Sequence, residues 1–163
     1  MEVRESTGIY LRMLNESLQE KYMILTQVYE LTKQQEGSFV EENDVEDIME
    51  HCLAAKEPLI EKLSMLDEGF ELVYTKIKGY VLYNLNEYQV EVSKLQNSIS
   101  KITDLSMEIQ ALELSNRRKF ELYLSSKKQQ IKQYKVNSRI ASNYYKNMTG
   151  NSQSESYFID KKK

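Results

Sequence analysis

The sequence predicts an all-α fold in which three long antiparallel helices form a coiled-coil-like bundle with a flexible C-terminal tail. Glycine occurs five times and proline once in 163 residues, so the chain has little material for turns. Apolar residues recur at seven-residue spacing, and no segment alternates apolar and polar residues over the length of a strand. We therefore expect one helical domain, residues 1–147, followed by a tail, residues 148–163, that is too polar to form a core.

The first helix is expected over about residues 7–35. Leu11, Leu18 and Leu25 are spaced seven apart, with Leu14 and Val28 on the interleaved position, which is the pattern of a helix with a packed seam. A loop is expected over residues 37–43. Asn43 is expected to cap the next helix, with Glu46 completing a capping box.

The second helix, expected over about residues 43–83, has the clearest heptad pattern in the chain. Only one of its eleven seam positions is charged, and that residue is Lys56. Pro58 lies inside the pattern and is expected to bend the helix without ending it, because the apolar phase continues on both sides. The two seam series are Val45, Cys52, Leu59, Leu66, Val73 and Tyr80, and Met49, Lys56, Leu63, Phe70 and Ile77.

The third helix is expected over about residues 87–147. The apolar phase slips after Tyr80, and a turn around Asn84 and Asn86 is favoured over one continuous helix, which would extend for about 150 Å without a partner along its distal half. The second half of this helix carries a thinner apolar stripe that includes Leu112, Phe120, Leu124 and Ile131. Such a stripe is typical of a core that another helix completes.

The sequence offers little that could perform catalysis. His51 is the only histidine and Cys52 the only cysteine, and adjacent residues point about 100° apart around a helix, so they cannot converge on one substrate or metal. No glycine-rich phosphate loop or Glu-x-x-His spacing occurs. We expect a protein that is not an enzyme and has no catalytic residues, no metal site and no cofactor.

Charge is distributed unevenly along the chain. Residues 1–116 carry 10 basic and 22 acidic side chains, a net charge of −12, whereas residues 117–163 carry 12 basic and 3 acidic, a net charge of +9. Lys128, Lys132, Lys135 and Arg139 share one helix face. A solvated face or contact with an acidic protein is favoured over nucleic-acid or anionic-lipid binding, because the chain is acidic overall.

Tyr144 and Tyr145 are expected at the end of the last helix, beside the tail, where exposed aromatic side chains are typical anchors for a partner protein. No apolar run long enough to span a membrane and no signal-peptide stretch after Met1 is present, so we expect a cytoplasmic protein without stable membrane insertion.

The chain resembles flagellar export chaperones of the FlgN family. The resemblance is carried by three segments, namely LAAKEPLIEKLSMLDEGFE in the second helix, ITDLSMEIQALELSNRRKFELYL in the third, and the ending YYKNMTGNSQSESYFIDKKK. It implies a cytoplasmic chaperone that binds C-terminal helical segments of hook-associated flagellar proteins, prevents their early assembly and delivers them to the export gate of type III flagellar secretion.

The resemblance also suggests roles for particular residues. Members use an aromatic residue just after the last long helix to contact the export gate protein, and Tyr144 or Tyr145 occupies that place. The stripe of Leu112, Phe120, Leu124 and Ile131 is the expected client-binding surface. Two alternatives stay open: a homo-oligomeric coiled-coil spacer, and a nucleic-acid or membrane-surface binder that uses the basic face.

Overall fold

The computed structural model describes residues 2–41, 43–127 and 138–147. It contains three long helices, α1 (Glu2–Glu41), α2 (Val45–Tyr83) and α3 (Gln89–Lys127), and a short helix, α4, over residues 138–147. Each long helix extends for about 60 Å at 1.5 Å per residue. No described residue lies in a strand, and the predicted all-α bundle is confirmed. Within the described ranges, no helix is both long and apolar enough to cross a membrane.

α1 packs against both other long helices and forms the centre of the core. Its contacts place Gln19 beside Ser98 and Tyr29 beside Glu108, so α1 and α3 run in parallel. Lys21 contacts Asp67, whereas Gln35 contacts Lys56, so α1 and α2 run antiparallel. The predicted α1 seam is confirmed, because its members are almost fully buried: Leu11, Leu14, Leu18, Leu25 and Val28.

α2 follows the predicted heptads, and its helix continues through Pro58. One predicted series is buried from its second member onward, namely Lys56, Leu63, Phe70 and Ile77. The other series moves to the margin of the core, where Leu59, Leu66, Val73 and Tyr80 are partly buried. Near the end of α2, Tyr74 and Val81 are buried in the core in place of the residues that precede them, Val73 and Tyr80. The buried positions 70, 74, 77 and 81 therefore keep the helical spacing of four and three residues.

The connection between α1 and α2 differs from the predicted loop. α1 continues to Glu41, six residues beyond the expected end. Gly37 has no positive φ, and Ser38 is buried, with its Oγ donating to the Gln35 carbonyl oxygen at 2.7 Å. Asp44 precedes α2 in the left-handed region (φ 52°) and makes no side-chain cap. The capping box that was predicted for Asn43 and Glu46 is therefore wrong.

The predicted turn between the second and third helices is confirmed at residues 84–88. The Asn84 backbone N–H donates to the Tyr80 and Val81 carbonyl oxygens at 3.1 and 3.2 Å, which closes the end of α2. The Asn84 side chain donates to the Tyr80 carbonyl oxygen at 2.9 Å. Across the turn, the ring centroids of Tyr80 and Tyr88 lie 6.1 Å apart, so aromatic packing joins the helix ends.

The single helix predicted over about residues 87–147 is wrong. α3 is described as far as Lys127, and α4 packs back against it, as the contact between Tyr145 and Glu113 requires. In one continuous helix these two residues would lie about 48 Å apart. The predicted tail, residues 148–163, lies outside the described residues.

Candidate protein-binding site

A buried polar cluster joins the three long helices near the α1–α2 connection. Lys56 of α2 is fully buried, and its Nζ donates to Gln35 Oε1 of α1 at 2.5 Å and forms an ion pair with Glu113 of α3. Gln35 Nε2 donates to the Met49 carbonyl oxygen at 3.2 Å. Burial lowers the pKa of Lys56, and the adjacent Glu113 carboxylate opposes that shift. A buried ammonium is therefore held by two oxygen ligands from different helices.

The same cluster continues along the interface between α1 and α3. The Asn116 Nδ2 donates to the Thr32 carbonyl oxygen at 3.0 Å, and Thr32 Oγ1 lies 3.3 Å from Glu113 Oε1. Thr32 and Asn116 are both buried. These polar side chains favour one register of the helices, because a shifted register would leave buried donors and acceptors unpaired.

α4 packs between α2 and α3. Its two most buried side chains are Ala141 and Tyr145. The Tyr145 hydroxyl donates to Glu113 Oε1 at 3.4 Å, and Arg117 Nη1 of α3 donates to Ser142 Oγ at 3.2 Å. Residue numbers fall on α3 as they rise on α4, so the two helices are antiparallel. α4 thus extends the polar cluster to a fourth helix.

The two tyrosines of α4 are both withdrawn from solvent. Their ring centroids lie 5.6 Å apart in an edge-on arrangement. Burial is the main cause that raises the pKa of both phenols, and the neighbouring carboxylates, Asp67 for Tyr144 and Glu113 for Tyr145, add to it. Among the described residues, the buried Tyr144 hydroxyl has no hydrogen-bond partner.

An open groove runs between α2 and α4. Its apolar wall residues come from both helices, and three glutamates of α2 line it as well. The lining residues are Leu53, Ala54, Ile60, Ile140, Ala141 and Tyr144, with Glu50, Glu57 and Glu61. We call this surface the acidic groove. A second depression lies between α3 and α4 and is more mixed in charge, since Glu113, Arg117 and Lys146 all line it.

The predicted client-binding stripe is largely covered by the protein itself. Phe120 and Leu124 are buried in a small core with Val45, against which Phe39, Met49 and Tyr123 also pack. Leu112 is partly buried, and Ile131 lies outside the described residues. The stripe is therefore not a vacant face along its length, because α1 and the start of α2 extend far enough to cover Phe120 and Leu124.

The expected exposure of the predicted gate-contact tyrosines is wrong. Tyr145 is only 2% exposed and belongs to the main core, and Tyr144 packs against that core as a partly buried residue. The physical reason is the reversal of the chain after α3, which brings the tyrosines against α2 and α3. Of the predicted basic face, only Arg139 is described, and it is exposed.

His51 and Cys52 lie in different environments. His51 is exposed and Cys52 is buried, with its Sγ 3.6 Å from Gln34 Oε1. Burial raises the pKa of the Cys52 thiol, which disfavours the reactive thiolate. Across residues 2–41, 43–127 and 138–147, no group of three or more His, Cys, Asp or Glu side chains could hold a metal ion.

The cluster around Lys56 was not predicted as a site. Its signal in the sequence is a set of polar residues at positions where the heptads require burial, namely Lys56 on α2 and Thr32 and Gln35 on α1. Glu113 gives no such signal, because its partners come from helices distant in sequence. Comparisons of the chain with family models, curated proteins and solved structures give no match.

Proposed function

We propose that this protein is a cytoplasmic, non-enzymatic flagellar export chaperone. It binds the C-terminal helical segments of hook-associated proteins, prevents their premature assembly and delivers them to the export gate. The observation that carries the proposal is the position of α4, which packs as an additional helix between α2 and α3. A bundle that accepts one short helix has the shape required to accept a helical segment of a client.

The way in which α4 is held supports this proposal. Ala141, Tyr144 and Tyr145 lie at positions i, i+3 and i+4, so α4 is anchored on one face only. Helix-in-groove recognition uses the same spacing of apolar anchors.

The proposed roles of the predicted residues follow from their positions. Leu112 is partly buried and can contact a client directly. Phe120 and Leu124 hold α3 in position through their packing on Phe39 and Val45. Tyr144 and Tyr145 are the proposed export-gate contacts. Because both rings pack inside the bundle, contact with the gate through them requires α4 to move away from α2 and α3.

The direct test is titration of the purified full-length protein with C-terminal helical segments of hook-associated proteins. We expect one-to-one binding with a Kd on the order of 1 μM, which corresponds to about −8 kcal/mol. The matched control is the N-terminal segment of the same hook-associated protein, which should not bind. Absence of saturable binding by every C-terminal segment would contradict the proposal.

The same preparation separates the two alternatives. A stable symmetric oligomer in light scattering, together with no client binding, would favour a homo-oligomeric spacer. Salt-sensitive binding to nucleic acid or anionic vesicles would favour a surface binder.

A further inference from the structure

The acidic groove has a regular arrangement of charge along α2. Glu50, Glu57 and Glu61 line it, and Ala54 lies between the first two at the same helical phase. The spacing of four, three and four residues places all four side chains on one ridge, which extends for about 16 Å. All four are exposed. The groove therefore has a rim of three carboxylates that covers three helical turns.

The rest of the groove lining is apolar. Ile140 and Tyr144 lie one turn apart on α4, and Leu53 and Ile60 lie seven residues apart on α2, so two apolar rows face the same space. Ile140 is 65% exposed although it adjoins these rows. Ile140 continues the apolar surface of these rows, and an exposed apolar patch with a polar rim is a feature of an interaction surface.

Charge distinguishes this groove from the surface on the other side of α4. The described lining of the acidic groove contains three glutamates and no lysine or arginine, whereas the depression between α3 and α4 contains Glu113 together with Arg117 and Lys146. Lys56, although it belongs to the same stretch of α2, is buried in its pair with Glu113 and does not neutralise the rim.

From this complementarity we propose that the acidic groove binds an amphipathic helix of a partner protein that carries lysine or arginine residues beside its apolar face. The apolar face of the partner contacts Leu53, Ile60 and Ile140, and its cations meet Glu50, Glu57 and Glu61. A helix fits because cations spaced like the three glutamates lie on one side of an α-helix. This site does not depend on the export role, since its partner is defined by chemistry alone.

The probe for the test is a designed 14-residue peptide with leucines at helical spacing flanked by lysines. It is titrated into the full-length protein by fluorescence anisotropy, alongside the same peptide with glutamates in place of the lysines. We expect saturable one-to-one binding of the lysine peptide, weakened at least tenfold in a variant with Glu50→Lys, Glu57→Lys and Glu61→Lys. The glutamate peptide should bind that variant better than it binds the wild-type protein.

The matched control carries the same change in charge on another helix. Glu16, Glu20 and Glu30 are exposed on α1, and replacing these three with lysine should change the affinity of the lysine peptide less than twofold. Circular dichroism verifies that both triple variants keep their helical content. An equal loss of affinity in the two variants, or no saturable binding of the lysine peptide to the wild-type protein, would overturn the proposal.

Two other occupants are also distinguished by this design. If the lysine peptide binds only after Lys161, Lys162 and Lys163 are replaced by glutamate, the C-terminal lysines of the chain itself hold the groove and the proposal of a separate partner is overturned. The same conclusion follows if light scattering shows a dimer that the three α2 substitutions dissociate, because a second copy then occupies the groove.

Discussion

The Lys21 ammonium of α1 lies 2.7 Å from the Asp67 carboxylate of α2, and both side chains are largely buried. A second buried pair, Lys56 with Glu113, joins α2 to α3. Lys21 and Lys56 each occupy a heptad position that an apolar residue would normally fill. A shift of either helix by one heptad would bury a lysine without its carboxylate, so the two pairs favour one register over others.

The first prediction concerns the Lys56–Glu113 pair. Glu113→Ala should lower the free energy of unfolding by about 3 to 5 kcal/mol, because it leaves a buried ammonium without its counter-ion. Replacing both partners, with Lys56→Met and Glu113→Leu, should recover most of that loss, since no buried charge remains. Chemical denaturation monitored by circular dichroism measures both values.

The control for this prediction is the exposed pair of Lys33 and Glu36 on α1, whose atoms lie 3.3 Å apart. Glu36→Ala should leave stability unchanged within error, because water screens the charges. A double variant as unstable as Glu113→Ala alone would show that the shape of the site matters more than its charge.

The second prediction concerns the core of α2. Leu63 is fully buried and Phe70 is 8% exposed, so Leu63→Ala or Phe70→Ala should each cost about 2 to 5 kcal/mol. Leu72 is on the same helix but is 69% exposed, and Leu72→Ala should cost less than about 0.5 kcal/mol. Thermal or denaturant unfolding of the three variants compares them directly, and similar values for Leu63 and Leu72 would place the core elsewhere.

The parts of the fold that the sequence predicted are those governed by a repeated local pattern. The heptads of Leu11, Leu18 and Leu25 on α1, and of Leu63 and Phe70 on α2, place the same residues in the core that the structure buries. The turn at Asn84 could be predicted for a similar reason, because the phase of the apolar pattern changes there. Burial of a regular stripe is a local property of a helix, so spacing alone reveals it.

The parts that the sequence missed depend on contacts between distant segments. The composition around Gly37 favours a loop, yet α1 continues because Phe39 packs on Phe120, with ring centroids 6.5 Å apart. Tyr145 was expected in solvent, since nothing nearby in sequence indicates that α4 returns to Glu113. Helical periodicity does not specify where a helix ends when later residues supply its partner.

The third prediction concerns stability in alkali. The pKa of Tyr145 is raised above its ordinary value of 10.0, so the folded protein keeps a proton that the unfolded chain loses as the pH passes 10. The contribution of Tyr145 is therefore fully present below pH 10 and is lost as the pH rises above it, by up to about 1.4 kcal/mol per pH unit. Tyr144 acts in the same direction.

Denaturation of the wild-type protein and the Tyr145→Phe variant between pH 8 and pH 11 tests this effect. The variant should lose stability less steeply above pH 10, because it has one fewer buried phenol. Lys56 contributes with the opposite sign, since its pKa is lowered from 10.5 and the folded state releases its proton first. Both proteins share that contribution, so it cancels in the comparison, and parallel pH profiles would contradict the burial of the Tyr145 hydroxyl.

The last prediction separates contact with the export gate from the docking of α4. Replacing Tyr144 and Tyr145 together by alanine should weaken binding of the gate protein by about 2 kcal/mol or more, as expected for aromatic hot spots.

That change also removes a ring that is 2% exposed, so it detaches α4. Ala141→Asp supplies the missing control, because a charge at a side chain that is 6% exposed detaches α4 and leaves both tyrosines intact. If the rings themselves contact the gate, calorimetry should show that Ala141→Asp binds the gate at least as tightly as the wild-type protein. Affinity for the client segment should not fall in either variant, since Leu112 and the remainder of α3 are unchanged. Equal loss of gate binding in both variants would assign recognition to the docked helix and remove the tyrosines from the gate contact.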